Sequence, residues 1–204
     1  MDLDDIHKQI LNCKSCDLYK TRTHCVPGEG NYKSGIMFIG EAPGKEEDKQ
    51  GRPFVGAAGK YLTEVLEKNG IKRQDVYITN VLKCRPPNNR DPKPEEVETC
   101  SKWLRMQLDF IKPSIIVTLG RFSTQWIFEY FNLTYTSITK LRGKVYTVEK
   151  WNKTIYIIPT LHPAAVLYHP RWKPMFEHDI SLINSVLKGE TKPEKKSILD
   201  YFKK

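Results

Sequence analysis

The stretch IMFIGEAPGKEEDKQGRPF, residues 36–54, decides the fold that we expect for this chain. Apolar residues run from Ile36 into Gly40, and the chain then turns through Ala42-Pro43-Gly44. A short buried strand that ends in a Gly/Pro turn brings a loop to the carboxyl edge of an open α/β sheet, where ligands of such sheets bind. Four acidic residues beside the turn and the flat ring of Phe54 after it predict a ligand pocket at this edge.

The rest of the chain alternates between strand and helix patterns. Further strands are predicted at 76–82, 115–119 and 155–158, and residues 133–154 are read as hairpin-like or irregular. Helices are predicted at 4–11, 57–69, 94–110, 122–130 and 174–187. This alternation predicts an α/β fold with a central, mostly parallel four-stranded sheet between helical layers. We expect one domain at residues 1–187 and a flexible, charged tail at 188–204.

The composition restricts the class of protein. A formal charge of +9 over 204 residues favours a polyanionic partner. The sequence contains no apolar run long enough to span a membrane, and its acidic N-terminus has no signal-peptide pattern. We therefore expect a cytoplasmic, nucleoid-associated monomer.

Five cysteines are notable in a chain expected to be cytoplasmic, because clustered thiols in a reducing compartment more often bind metal than form disulfides. Cys13 and Cys16 form a C-x2-C pair, and Cys84 and Cys100 follow at a strand end and on the next helix. Four soft thiolates suit zinc or an iron–sulfur cluster, and the pattern does not choose between them. Cys25 is not expected to be a ligand.

Several side chains suited to binding a base follow predicted strand ends. The amide of Asn80 offers a donor and an acceptor, as the edge of a nucleobase requires, and Asn89 follows in a rigid, basic loop. Phe54 has a ring on which a base can stack, and His162 can donate to a carbonyl oxygen that gains negative charge. We expect all four to meet at one edge of the sheet.

Three motifs carry a resemblance to a known family. GEAPGKEED with GRPFVG (residues 40–56), TNVLKCRPPNNRDP (79–92) and LHPAA (161–165), together with the four cysteines, resemble the family 4 uracil-DNA glycosylases. The resemblance covers roughly residues 1–187. It implies an α/β/α sandwich, a [4Fe–4S] cluster and hydrolysis of the N-glycosidic bond of deoxyuridine in DNA, which releases uracil and leaves an abasic site for base excision repair.

The resemblance also implies roles for individual residues. The cluster would be held, in a structural role, by Cys13, Cys16, Cys84 and Cys100. The loop from Gly40 through Glu41 and Ala42 to Pro43 would line the uracil pocket, with Glu47 beside it. Phe54 would stack on the base, Asn80 would read its Watson–Crick edge, and His162 would stabilise the charge that develops at uracil O2.

One departure from the wider superfamily concerns the attacking water. Glycosylases of the best-known uracil class carry an aspartate where this chain has Ala42. Water must then be held by another group, and the resemblance leaves Asn89 and the Glu41/Glu47 pair as the alternatives.

Two further segments are candidates for contacts with larger partners. Leu167, Tyr168 and Arg171 follow His162 closely and are expected to wedge into the duplex and contact phosphate, with a plain loop as the alternative. At the end of the tail, Ile198 precedes Tyr201 and Phe202 in a pattern similar to sliding-clamp-binding motifs, although Lys195 replaces the usual glutamine.

Two other functions remain open from the sequence. One is a non-catalytic nucleic-acid-binding module held together by zinc, and the other is a glycosylase with broader specificity for deaminated bases.

Overall fold

The structure is a computed structural model that describes residues 2–194, so Ile198, Tyr201 and Phe202 lie outside the described residues. The strands are β1 (Glu29–Gly30), β2 (Ile36–Gly40), β3 (Tyr77–Asn80), β4 (Ile115–Leu119), β5 (Tyr146–Lys150) and β6 (Lys153–Thr160). The helices are α1 (Leu3–Leu11), α2 (Lys45–Gln50), α3 (Ala57–Lys68), α4 (Pro94–Ile111), α5 (Arg121–Tyr130), α6 (Ile138–Leu141), α7 (Pro163–Tyr168) and α8 (Lys173–Leu187). None of the helices in residues 2–194 combines the length and apolar composition needed to cross a bilayer.

The strands form a single sheet in the order β1-β3-β2-β4-β6-β5. The four inner strands are parallel, and the two edge strands pair antiparallel to their neighbours. The predicted α/β class with a mostly parallel sheet is confirmed, and the four predicted strands are the inner four. The two additional strands were not predicted as such because β1 has only two residues and β5 lies in the segment read as hairpin-like.

Both faces of the sheet are buried, as a parallel sheet requires. Successive residues of a strand point to opposite faces, so Phe38 packs in one apolar cluster and Met37 in the other. The Phe38 cluster includes residues of α3 and α8, and the Met37 cluster includes residues of α4 and α5. The result is the expected three-layer α/β/α arrangement.

A buried ion pair holds α8 against the end of β6. Asp179 is fully buried and accepts hydrogen bonds from the guanidinium of Arg142 and from the Thr160 hydroxyl, the latter at 2.7 Å. This contact fixes the strand end from which the chain continues to residue 162.

Two short helices lie where the sequence suggested loops. The acidic cluster after Gly44 forms α2, with Glu46 and Glu47 in its first turn, where carboxylates interact favourably with the helix dipole. The segment after His162 forms α7, whose first residue is Pro163, a residue pre-organised for that position. Neither of these short helices was among those predicted from the sequence.

Candidate active site and cysteine centre

The carboxyl ends of three parallel strands meet at one pocket. Gly40 at the end of β2 pairs in register with Asn80 at the end of β3, and His162 lies two residues beyond β6. The cavity has a volume of about 320 Å³, at the lower end of the range for small-molecule sites. It is lined by Glu41, Ala42, Pro43, Gly44, Glu47, Phe54, Ala58, Asn80, Pro86, Asn89, Arg90, His162 and Ala164. Gly40 is absent from this lining but lies directly behind Asn80.

Asn80 is the most notable polar side chain of the pocket. It is only 1% exposed, and its Oδ1 atom has no hydrogen-bond partner among the described residues. A buried, unpaired carbonyl oxygen costs free energy, so native proteins retain such a group mainly where it has a function. A methyl group added at Gly40 would stand 2.3 Å from this oxygen and 2.6 Å from the Phe54 ring, so only glycine fits there.

Phe54 is held in a strained backbone conformation beside Asn80. Its φ of 49° lies in the left-handed region, which bulky residues rarely adopt. One carboxylate oxygen of Glu47 accepts hydrogen bonds from the N–H groups of Val55 and Gly56, both at 2.9 Å. Glu47 therefore positions the aromatic ring, a role that the sequence did not suggest.

His162 faces Phe54 with a ring-to-ring distance of 5.8 Å. The N–H of Ala164 donates to His162 Nδ1 at 3.2 Å. Burial lowers the pKa of His162 to about 4, against the opposing effect of the Glu47 carboxylate. The ring is therefore neutral at pH 7, and because Nδ1 accepts, Nε2 carries the proton and is the donor.

The two candidates for holding water, Glu41 and Asn89, both line the pocket. Burial raises the pKa of Glu41 to about 7, with a further contribution from Asp91 that Arg121 opposes. Asn89 has a φ of 54°, and its Oδ1 accepts a hydrogen bond from Arg85 Nε at 2.7 Å, which fixes the orientation of its amide.

The cysteines assemble at a second cavity beside the end of β3. The four predicted ligands all line it: Cys13, Cys16, Cys84 and Cys100. The Arg22 guanidinium donates to Cys84 Sγ at 3.1 Å, and the Lys83 N–H donates to Cys100 Sγ at 3.3 Å. Such donors stabilise negative charge on sulfur, as metal-ligating thiolates require.

The donor set at this cavity suits a soft metal. Four thiols line one space, and N–H donors are directed at two of their sulfurs, as zinc or an iron–sulfur cluster requires of its ligands. Within residues 2–194, no group of three or more His, Cys, Asp or Glu side chains is placed so as to hold a metal ion.

The structure also places two residues that sequence reasoning missed at this centre. Cys25 lines the same cavity, with its Sγ 3.4 Å from that of Cys84. Lys83 is fully buried, and its ammonium donates to Thr79 Oγ1, Asn80 O and Gln107 Oε1 at 2.6–2.7 Å. Burial lowers the pKa of Lys83 to about 7. The only sign of this buried lysine in the sequence was its position between an apolar strand and Cys84.

The predicted wedge residues lie on and just after α7, which begins beside His162. Tyr168 is 84% exposed and Leu167 is 37% exposed, although both are large apolar or aromatic side chains. Arg171 is exposed in the following turn. Leu167 and Tyr168 therefore lie on the surface of the same helix as Ala164, which lines the pocket.

Comparison with known proteins identifies the family. The profile of the Uracil DNA glycosylase superfamily matches residues 27–188. The Type-4 uracil-DNA glycosylase of Archaeoglobus fulgidus is 55% identical over 98% of this chain and 98% of its own length. The Type-4 enzyme of Sulfurisphaera tokodaii is 49% identical over 98% of this chain and 90% of its own. That of Thermotoga maritima is 46% identical over 81% of this chain and 83% of its own. The chain therefore belongs to the uracil-DNA glycosylase superfamily and, within it, to the type-4 family.

Proposed function

We propose that this protein hydrolyses the N-glycosidic bond of deoxyuridine in DNA, releasing uracil and leaving an abasic site. The observation that carries this proposal is the buried Oδ1 of Asn80, which has no hydrogen-bond partner in residues 2–194 and lies in the pocket that the Phe54 ring and His162 also line. The activity is also the one named for the type-4 relatives.

The pocket has the groups needed to recognise uracil. The N3–H of uracil is a donor that Asn80 Oδ1 can accept, and uracil O4 can accept from the amide nitrogen. Phe54 supplies a stacking face, worth about 1–3 kcal/mol per base. Cytosine presents an acceptor and an amine instead, which reverses the hydrogen-bonding pattern. The base must flip out of the duplex to reach this pocket.

Bond cleavage requires stabilisation of the departing uracil anion. Nδ1 of the neutral His162 ring accepts from the Ala164 N–H, so the ring proton is on Nε2. Nε2 can therefore donate a hydrogen bond to uracil O2 while the ring stays neutral. A single pre-organised donor of this kind contributes on the order of 10²–10³ in rate. The strained Phe54 backbone, held by Glu47, keeps the base against this donor.

Asn89 is our choice for holding the attacking water. Its amide is oriented by Arg85 and lines the pocket, whereas Glu47 is engaged with the backbone after Phe54. We expect Asn89→Ala to slow single-turnover excision by about 10²-fold while uracil binding is retained. An unchanged single-turnover rate would remove Asn89 from the mechanism. Glu41 as base would instead give a rate that falls tenfold per pH unit below about 7.

The four predicted cysteine ligands would hold a [4Fe–4S] cluster with a structural role. A cluster bound there would join the N-terminal C-x2-C segment to the end of β3 and to α4, which positions the polypeptide around Asn80. Iron analysis and visible absorbance test this assignment. Cys100→Ser should lose iron, whereas Cys25→Ala, in the same cavity, should keep it; equal iron in both would contradict the ligand set.

Contacts with DNA and with a sliding clamp are proposed for two further segments. Uracil-containing DNA is the substrate, and Leu167, Tyr168 and Arg171 would fill the space left by the flipped base and contact phosphate. Binding of a sliding clamp through Ile198, Tyr201 and Phe202 is part of the proposal, as is a nucleoid-associated location in the cytoplasm. If a sliding clamp still pulls down the protein that carries both Tyr201→Ala and Phe202→Ala, the proposal of clamp binding through these residues is wrong.

The central experiment is incubation of the purified protein with single- and double-stranded oligonucleotides that contain one uracil, followed by alkaline cleavage. Scission only at uracil, lost in Asn80→Ala and retained in Asn31→Ala, supports the proposal; Asn31 is an exposed asparagine whose side chain accepts from the Lys33 backbone N–H. Scission at hypoxanthine or xanthine would indicate the broader specificity. A zinc-containing protein that binds DNA and releases no base would indicate the non-catalytic module.

A further inference from the structure

Cys25, which the sequence did not predict as a ligand, lies beside the predicted ligand Cys84. Its thiol is only 4% exposed, and its Sγ lies 3.4 Å from Cys84 Sγ. Both sulfurs face the cavity that the other three cysteines line. The family comparison and the resemblance assign no role to this fifth thiol.

Backbone contacts on both sides of Cys25 fix this arrangement. The carboxylate of Asp48 accepts hydrogen bonds from the N–H groups of Thr23 and His24, at 2.8 and 3.3 Å. On the other side, the N–H of Val26 donates to the carbonyl of Lys83 at 2.8 Å. The bond between Val26 and Lys83 therefore places the backbone segments that carry Cys25 and Cys84 side by side.

We propose that Cys25 and Cys84 form a disulfide when the cysteine centre has lost its iron, with a peroxide as the oxidant. A disulfide requires the sulfurs to approach to about 2.05 Å. Starting from 3.4 Å, side-chain rotation can supply most of that approach. Arg22, which directs an N–H at Cys84 Sγ, favours Cys84 as the sulfur that attacks the peroxide. This inference rests on the proposed ligand set.

The chemistry balances with one peroxide for two thiols. The Cys84 sulfur attacks one peroxide oxygen, the O–O bond breaks, and sulfenic acid and water form. The Cys25 sulfur then attacks the Cys84 sulfur, the S–O bond breaks, and a second water leaves with the thiol proton. Two thiols are oxidised and hydrogen peroxide is reduced to two waters. The disulfide would protect Cys84 from irreversible oxidation, and reduction would make it available to iron again.

A disulfide between Cys13 and Cys16, the C-x2-C pair, is the competing outcome. Cys13 and Cys16 are more exposed than Cys25 and Cys84, so accessibility alone favours a disulfide between the first two. Proximity favours the pair proposed here, because no sulfur–sulfur contact joins Cys13 to Cys16 in the described residues, where Cys13 Sγ instead contacts the Ser15 hydroxyl. Mapping the disulfide therefore separates the two explanations.

Trypsin places all five cysteines on different peptides, since it cleaves after Lys and Arg except before Pro. The iron content of the purified protein is measured first, and the iron is then removed with a chelator under anaerobic conditions. One equivalent of hydrogen peroxide is added, free thiols are blocked, and the protein is digested without reductant. We expect the main cross-linked species to join residues 23–33 to residues 84–90, with a mass two hydrogens below the sum. A main product joining residues 9–14 to 15–20 would overturn the proposal.

Reassembly of the cluster provides a second test. After peroxide treatment, the wild-type protein should take up on the order of tenfold less iron and sulfide than after treatment with dithiothreitol. After excess peroxide, the wild-type protein should recover its uptake with dithiothreitol, whereas Cys25→Ala should not, because a Cys84 sulfenic acid without Cys25 is oxidised further and irreversibly. Equal recovery in both proteins would overturn the proposal. Absence of iron in the purified protein would instead count against the metal centre, and neither readout depends on uracil excision.

Discussion

Replacement of His162 by leucine tests the protonation state on which the chemistry depends. The folded protein holds the pKa of this ring at about 4, against an ordinary value of 6.5. At pH 5 the ring is protonated in the unfolded chain and not in the folded protein, so acidification favours unfolding. Linkage gives a loss of about 2 kcal/mol between pH 7.5 and pH 5 from this residue. His162→Leu removes the titration, so the variant should be less sensitive to acid by that amount.

Urea unfolding at pH 7.5, 6 and 5 measures this difference. His178→Leu, at an exposed position on α8, is the matched control for replacing a histidine with leucine. Single-turnover excision by His162→Leu should fall by about 10²–10³, the value expected for one lost donor. Parallel stability curves for wild type and His162→Leu would show that the ring is not held neutral, and would refute the reasoning about Nε2 as donor.

Three further substitutions follow from contacts described above. Gly40→Ala should slow excision by about 100-fold, because the added methyl displaces the Asn80 amide and the aromatic ring beside it; a near-normal rate would show that the amide position is not critical. Asp179→Ala should lower the free energy of unfolding by about 3–5 kcal/mol, since it leaves a guanidinium buried without its partner. Asp17 provides the control, because its ion pair with Lys20 is exposed. Asp17→Ala should cause no measurable change in the free energy of unfolding. Tyr168→Ala should slow excision about tenfold from duplex DNA and leave single-stranded DNA unaffected, and equal slowing on both would argue against a wedge.

The sequence predicted those parts of the fold that depend on local pattern. The four inner strands were visible as short apolar runs, and the chain at or just after the ends of three of them brings a glycine, an asparagine and a histidine to the edge where the pocket lies. Parallel strands end at the same edge of a sheet, so proximity of Gly40, Asn80 and His162 followed from the fold class alone. The four cysteines predicted as ligands were also expected to form one group, and they do line one cavity.

The features that were missed depend on partners distant in sequence. Asp48 was one of four acids expected beside the pocket, yet it is buried and binds the backbone 24–25 residues earlier in the chain. Cys25 was not predicted to lie at the cysteine centre, because nothing in the local sequence indicates that the next residue, Val26, bonds to the carbonyl of Lys83. The short helix α2 was hidden for another reason: six residues are too few to show a helical period.

The position of Lys83 has a consequence for inactivation by heat. Its backbone N–H bonds Cys100 and its ammonium bonds the carbonyl of Asn80, so one residue contacts both the cysteine centre and the residue that we propose reads the base. Disorder at the centre should therefore reach the pocket directly. We expect the half-life of activity and the half-life of bound iron at elevated temperature to coincide, so that the protein fails in a single event and contains no separately surviving active site.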